Sequence, residues 1–258
     1  MADFQIGDIS TRMNGYVALV EIHRPPHNHF DEQLLSDMAD TFEQLDRDGD
    51  CRALVLASEG KSFCGGADFS RRGAERGPRG PAELYDHAVR LFACQKPVVA
   101  AIQGAAVGGG LGLALMADFR VCSPQARFVA NFVKLGIHPG FGLTYTLPRV
   151  IGIQRASLMF YTGRRIRGDE AVQWGLGDVL APSDQVRNEA LALAAEIAEG
   201  APLAVASTRA AMRSGLVEAI KAHTDHEAAE QQRLFLTEDH KEGVKAVSER
   251  RPGRFLGR

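Results

Sequence analysis

Ala53-Leu54-Val55-Leu56-Ala57 leading to Ser62-Phe63-Cys64-Gly65-Gly66-Ala67-Asp68, and Pro97-Val98-Val99-Ala100-Ala101-Ile102 leading to Gly104-Ala105-Ala106-Val107-Gly108-Gly109-Gly110, are two strand-then-glycine-turn units. The second continues into helix-like Leu111-Gly112-Leu113-Ala114-Leu115-Met116. Small residues let a backbone N–H approach a ligand oxygen closely, and donors at a helix N-terminus add favourable potential for negative charge. One such turn is explained equally well by tight helix–sheet packing. Two of them read as halves of one oxyanion-binding site, because a carbonyl oxygen gaining charge needs two convergent donors.

Working outward, Val17–Ile22 reads as a strand. Asp31–Leu45 reads as an amphipathic helix with Leu34, Leu35, Met38, Phe42 and Leu45 at helical spacing. Pro81–Cys94 is helical, Val98–Ile102 a strand, Gly109–Met116 helical and Phe119–Cys122 a short strand, an alternation that predicts an α/β fold with parallel strands. Beyond Phe141 the pattern predicts helices at 145–149, 154–161, 168–174, 183–198, 202–214 and 216–235. The segment from Ser70 to Pro81, rich in glycine, proline and charge, is expected to be a mobile loop.

The chain of 258 residues, with a formal net charge of −2, has the composition of a folded soluble protein and not of one that holds nucleic acid or an anionic membrane. Cys51, Cys64, Cys94 and Cys122 form no CxxC pair, so neither a disulfide framework nor a cysteine metal site is indicated, and a cytoplasmic setting is expected. No run approaches the roughly 18 apolar residues of a membrane span, and the first residues lack a leader pattern. A dinucleotide fingerprint at 104–112 has the wrong spacing and lacks the later acidic residue. A Gly-x-Ser-x-Gly elbow is absent. His23, His27 and His29 cluster without a carboxylate–histidine pattern for a closed metal site.

Taken in order, Arg24-Pro25-Pro26-His27-Asn28, Ser62–Asp68, Gln103–Gly112, Leu135-Gly136-Ile137-His138-Pro139-Gly140, Leu147–Gly152, Thr162-Gly163, Ala171–Leu176 and Thr237–Gly243 resemble the landmarks of the crotonase, or enoyl-CoA hydratase/isomerase, superfamily over nearly the whole chain. The resemblance implies a core of repeated strand-strand-helix turns, here 1–195, and a C-terminal helical oligomerisation segment, 196–258, that builds homotrimers or dimers of trimers. It implies an acyl-CoA or enoyl-CoA ligand whose carbonyl is held by the N–H groups of Ala67 and Gly109. Arg24, His27, Gly65, Asp68, Arg71 and Arg250 would contact coenzyme A, with no further cofactor and no metal.

The departures are as informative. Family hydratases use two glutamates for acid/base work. Alignment on the landmarks puts Gly112 and Phe132 at those positions and Gly140 where other relatives carry an aspartate. Tyr85, at a helix position from which dehalogenase relatives present a histidine, and His138, able to exchange protons near neutrality, are the replacement acid/base candidates. Asn131 and Tyr145 are further candidates for orienting water or substrate. Glu75, Glu83 and Asp86 are the nearby carboxylates. Phe69, Phe92, Phe132 and Phe141 are candidates for an apolar acyl pocket. Two functions stay open: an enolate-stabilising enzyme outside standard hydration, and a non-catalytic acyl-CoA carrier or sensor.

Overall fold

The computed structural model describes residues 3–68 and 81–258. The chain opens with β1 (Phe4–Ile6), β2 (Ile9–Asn14) and β3 (Val17–Ile22), then α1 (Glu32–Arg47), β4 (Ala53–Ser58), α2 (Pro81–Phe92), β5 (Val98–Ile102), β6 (Ala105–Val107) and α3 (Gly109–Met116). β7 (Phe119–Cys122), β8 (Arg127–Val129), a 3-10 turn (Phe132–Leu135), α4 (Leu143–Ile151), α5 (Ile153–Thr162), β9 (Arg165–Arg167), α6 (Gly168–Trp174) and β10 (Val179–Leu180) follow. The chain closes with α7 (Val186–Glu199), α8 (Pro202–Met212), α9 (Leu216–Leu234) and α10 (Glu238–Ser248).

Seven strands form one sheet in the order β1-β2-β3-β4-β5-β7-β10, antiparallel up to β3 and parallel from there, while β6-β8-β9 form a second, small sheet. The main sheet is covered on both faces. Ala18, Val20 and Ile22 point to the face shared with α1 and α2, whereas Val17 and Leu19 point to the face covered by Val186, Ala190, Ala194 and Ala198 of α7. Those four recur every fourth residue, and three are alanines that let the helix lie close to the sheet.

Asp31, expected inside the first helix, is its N-cap: its carboxylate accepts from Leu34 N at 2.9 Å, so the helix starts at Glu32. The expected division after residue 195 falls within α7, which runs to Glu199 before Gly200 ends it. β1, β2, β6, β8, β9, β10 and α10 carried too few residues, or too little periodicity, to be read from sequence. The expected loop at 70–81 lies outside the described residues except for Pro81, which begins α2.

The two glycine turns are tied by a parallel bridge between Cys64 and Ala106: Cys64 N donates to Ala105 O at 2.9 Å and Val107 N to Cys64 O at 3.0 Å. α3 begins directly over this bridge, and a Cβ on Gly110 would overlap Cys64 O. Gly110→Ala is therefore expected to cost about 1–3 kcal/mol by overpacking. Gly49, with nothing within 4 Å of a built Cβ, is the control. Chemical unfolding of both alanine variants checks this: equal stabilities would contradict the close approach.

Candidate active site

A cavity of about 810 Å³ opens where the two turns meet and runs between α1, α2, the 3-10 turn and α9. Gly65, Gly66, Ala67 and Asp68 from the first turn and Val107, Gly108 and Gly109 from the second form its polar edge. Ala67 pairs with Phe30 in a parallel bridge that uses its neighbours: Phe30 N donates to Gly66 O at 3.0 Å and Asp68 N to Phe30 O at 2.9 Å. Alternation along extended backbone turns the Ala67 N–H to the other edge. Gly109 is the first residue of α3, so its N–H has no intrahelical acceptor and lies at the positive end of the helix dipole. A Cβ on Gly66 would stand 3.4 Å from Gly109 N, which places the two turns side by side.

The apolar part of the wall is built from Phe30, Leu84, Phe132, Leu135, Ile137, Phe141 and Phe235. Of the phenylalanines expected there, Phe132 and Phe141 line the cavity, and Phe92 packs behind Phe141 with ring centroids 6.4 Å apart. Phe69 lies outside the described residues. Phe30, whose ring centroid is 5.5 Å from that of Phe141, was missed because it is an isolated apolar residue before a cap.

Phe141 occupies the space beside Gly112. A Cβ on Gly112 would lie 2.7 Å from Phe141 Cβ, so the ring occupies the space that a side chain there would need. Phe141 adopts a left-handed φ of 65°, a conformation costing a non-glycine residue about 1–3 kcal/mol. Burial of its ring, 1% exposed, returns about 1.5–3 kcal/mol, enough to hold it there. Gly140 shows the same exchange, since a Cβ on it would overlap the Tyr85 hydroxyl.

Tyr85 is buried on α2 and lines the cavity; its hydroxyl donates to Gln231 Oε1 at 2.9 Å, and Gln231 Nε2 donates to His138 O at 2.9 Å. Gln231, on α9, had no sequence signal beyond its place on a polar helix. The His138 ring turns away from the cavity wall, with Nδ1 2.8 Å from Pro139 O and the ring edge-on to His226 at 5.6 Å. Asn131 lines the cavity; Tyr145 instead packs on His223 and under Arg149. Glu83 and Asp86 are not in the cavity wall, and Glu75 lies outside the described residues.

Among the expected coenzyme A contacts, Gly65 and Asp68 line the cavity and His27 is exposed beside it, its carbonyl accepting from Gly65 N at 2.8 Å. Arg24 pairs with two carboxylates, Nε to Asp8 at 2.6 Å and Nη1 to Asp31 at 2.8 Å, and so braces the start of α1. Arg250 is exposed three residues beyond Val247, a cavity residue of α10. Arg71 lies outside the described residues. Of the clustered histidines, His23 faces Ser10 and Glu59 while His29 faces Gly66 O, so they converge on no common point. Burial pushes the Cys64 thiol up to about 12, which removes it as a nucleophile.

The α/β fold thus sets two backbone N–H groups at the rim of one cavity, an arrangement able to hold a ligand oxygen. Residues 12–258 match the enoyl-CoA hydratase/isomerase family, and the chain belongs to it, within the crotonase superfamily. A probable enoyl-CoA hydratase of Bacillus subtilis (strain 168) is 33% identical, covering 96% of this chain and 98% of the relative. A 1,2-epoxyphenylacetyl-CoA isomerase of Escherichia coli (strain K12) is 30% identical over 94% of this chain and 95% of its own. The crystal structure of an enoyl-CoA hydratase/isomerase from Pseudoalteromonas atlantica T6c superposes with a TM-score of 0.88 at 26% identity, covering 97% of this chain and all of that one. A carnitinyl-CoA hydratase from Mycobacterium avium gives 0.87 at 29% identity over 98% of this chain and all of that one.

The Gly142–Thr144 backbone that follows Phe141 is anchored by Glu227 of α9. Its carboxylate accepts from Gly142 N at 2.7 Å, Thr144 N at 3.0 Å and Thr144 Oγ1 at 2.6 Å. Complete burial pushes its pKa up to about 7 against these stabilising bonds. Because the folded value exceeds the unfolded one, the folded state holds the proton longer; stability falls as pH rises from about 4.5 to about 7 and is level above. The amplitude is on the order of 3 kcal/mol. Urea unfolding across this window should show that fall in the wild type and lose it in Glu227→Gln; a slope unchanged by the substitution would contradict it.

The packing of Phe141 on Gly112 is tested by a double-mutant cycle. Gly112→Ala should cost about 1–3 kcal/mol in the wild type and clearly less beside Phe141→Ala. Additive effects would contradict the shared space.

Proposed function

We propose that this protein binds an acyl-CoA or enoyl-CoA thioester with its carbonyl oxygen between Ala67 N–H and Gly109 N–H, and catalyses proton transfer at the enolate so stabilised, outside two-glutamate hydration. The observation that carries the reading is the meeting of these two donors at the rim of one apolar cavity, with Phe141 filling the space above Gly112. Relatives named as hydratases and as an isomerase support an enzyme acting on a coenzyme A thioester.

Two preorganised N–H donors lower the energy of a thioester enolate because they need no reorientation as charge develops, and the apolar wall weakens competition from water. Lining the cavity, the Tyr85 hydroxyl is the group proposed to handle the proton, with Gln231 fixing its orientation. The oligomer proposed is a trimer or a dimer of trimers. Ile153, Tyr161, Leu203, Met212 and Leu236, each at least 70% exposed in the single chain, supply apolar surface for it.

Incubation in heavy water with saturated, 2-enoyl and 3-enoyl CoA thioesters, read by mass spectrometry, tests the reading. Enzyme-dependent α-carbon deuterium uptake or double-bond migration is expected, and Tyr85→Phe should slow it about 10²-fold or more while thioester binding persists. Full activity in Tyr85→Phe removes that assignment. Saturable binding with no exchange in any thioester makes the protein a non-catalytic acyl-CoA carrier, and rapid hydration would contradict the reading outright.

A further inference from the structure

Glu227 has no exposed surface, and the proton transfer at the enolate does not use it. Its place on α9 connects it to the cavity in another way. Gln231, one turn further along the helix, donates to His138 O at 2.9 Å, while Glu227 accepts from Gly142 N at 2.7 Å and Thr144 N at 3.0 Å. The two side chains, four residues apart on one helix face, therefore hold the segment 138–144 at both ends. Phe141 stands between them with its ring in the cavity wall. The segment needs this hold, because Phe141 and Gly142 are successive residues with left-handed φ, 65° and 70°. The peptide group joining them carries the N–H that bonds Glu227. Loss of that bond frees the peptide to rotate, and rotation moves the Phe141 ring from the space beside Gly112.

How firmly Glu227 holds depends on its charge. As a carboxylate it accepts from Gly142 N at Oε2 and from both Thr144 N and Thr144 Oγ1 at Oε1. Bonds to an ionised acceptor are roughly twice as strong as neutral ones. A proton on Oε1 reverses the Thr144 hydroxyl, which then accepts from Glu227 and donates to His223 Nδ1, 3.1 Å away. Thr144 N–H is left facing a hydroxyl oxygen and Gly142 N–H a neutral carbonyl, so both backbone bonds weaken. Burial pushes the carboxyl up to about 7, which leaves both states populated near neutrality.

The elements packed on this part of α9 are α2 and α4. From α4, Thr144 links Glu227 to His223, and Arg149 lies over Tyr145, which packs on His223. From α2, Tyr85 ends at Gln231, whereas His87 and Arg90 reach α1. On α9 itself Lys221 pairs with Asp225, His226 packs on His138 and Glu230 pairs with Arg233. Among the described residues, neither these charges nor Glu83 and Asp86 of α2 act on the carboxylate; Thr144 and Gly142 do.

We propose that Glu227 is a positioning residue for the cavity wall, whose ionised carboxylate fixes Phe141 beside Gly112 and pre-organises the cavity for its ligand, and whose protonation loosens that wall. The inference rests on the acyl-CoA reading for the identity of the ligand alone. Stability and positioning then move in opposite directions: ionisation costs stability because the charge is buried, yet it tightens the segment. A carboxylate that served the fold alone would not separate the two.

The test is fluorine NMR of the protein labelled with 4-fluorophenylalanine, the Phe141 resonance being assigned by its loss in Phe141→Leu. In the ligand-free wild type that resonance should move through one transition centred near pH 7. In Glu227→Gln, whose amide offers a single accepting oxygen, it should stay at its acid-side position, and in His223→Asn the transition should persist. A Phe141 resonance that does not titrate in the wild type overturns the proposal, as does a transition that survives Glu227→Gln or vanishes in His223→Asn. Calorimetry with one saturated acyl-CoA extends the test to the ligand. Wild type and Glu227→Gln should bind it alike at about pH 5.5 and about tenfold apart at about pH 8.5, the variant more weakly although it resists urea no less. Equal affinities at the higher pH, or the full loss already present at the lower one, overturn the role in the site. Failure of the thioester to bind the wild type overturns the acyl-CoA reading instead, and the Phe141 titration still decides the positioning role.

Discussion

The parallel bridge between Cys64 and Ala106 is the constraint on which the site depends. It joins two turns from different strand ends through two backbone hydrogen bonds, and its position fixes where Ala67 N–H and Gly109 N–H emerge. Neither donor belongs to a side chain that rotates. Their direction is set by β4 and β5 beneath, by the Phe30 bridge on one side and by the start of α3 on the other. Such rigidity is what oxyanion stabilisation requires, because a donor already in place loses no reorganisation energy when charge appears.

Around this fixed edge two glycines leave room for aromatic groups from other elements. Gly112 is bare where Phe141 enters, and Gly140 is bare where the Tyr85 hydroxyl enters. At each of these positions the volume that a side chain would need is filled by an aromatic group from another element. The polar groups in this wall include Tyr85, whose hydroxyl is held by Gln231, together with Asn131, Ser36, Gln33, His87 and Glu32. Restoring a glutamate at Gly112 alone would meet the Phe141 ring before it met a substrate.

Much of this was legible in the sequence because it was local. Glycine runs after apolar strands located both turns, and helical spacing located α1 and the C-terminal helices. The ordered motifs pointed to the fold. What was not legible depended on pairs distant in the chain. Gly112 with Phe141, Tyr85 with Gln231 and Gly142 with Glu227 are separated by stretches that no periodicity spans. Arg24 was read as a coenzyme A contact from its place in the early turn; that Asp8 and Asp31 both close on it becomes visible only when β1, β2 and α1 are assembled. His138 sat in the right loop, but the ring direction followed from α9. The short strands β6, β8 and β9 escaped because three residues carry no usable period.

The central claim is that two backbone N–H groups polarise a thioester carbonyl. The most direct measurement is the infrared stretch of a carbonyl-labelled acyl-CoA, free in water and bound to the protein. Two preorganised donors predict a band displaced to lower frequency than in water and narrowed by a single hydrogen-bonded geometry. A bound band at or above the aqueous frequency would mean that the carbonyl does not lie between Ala67 and Gly109, and would contradict the account.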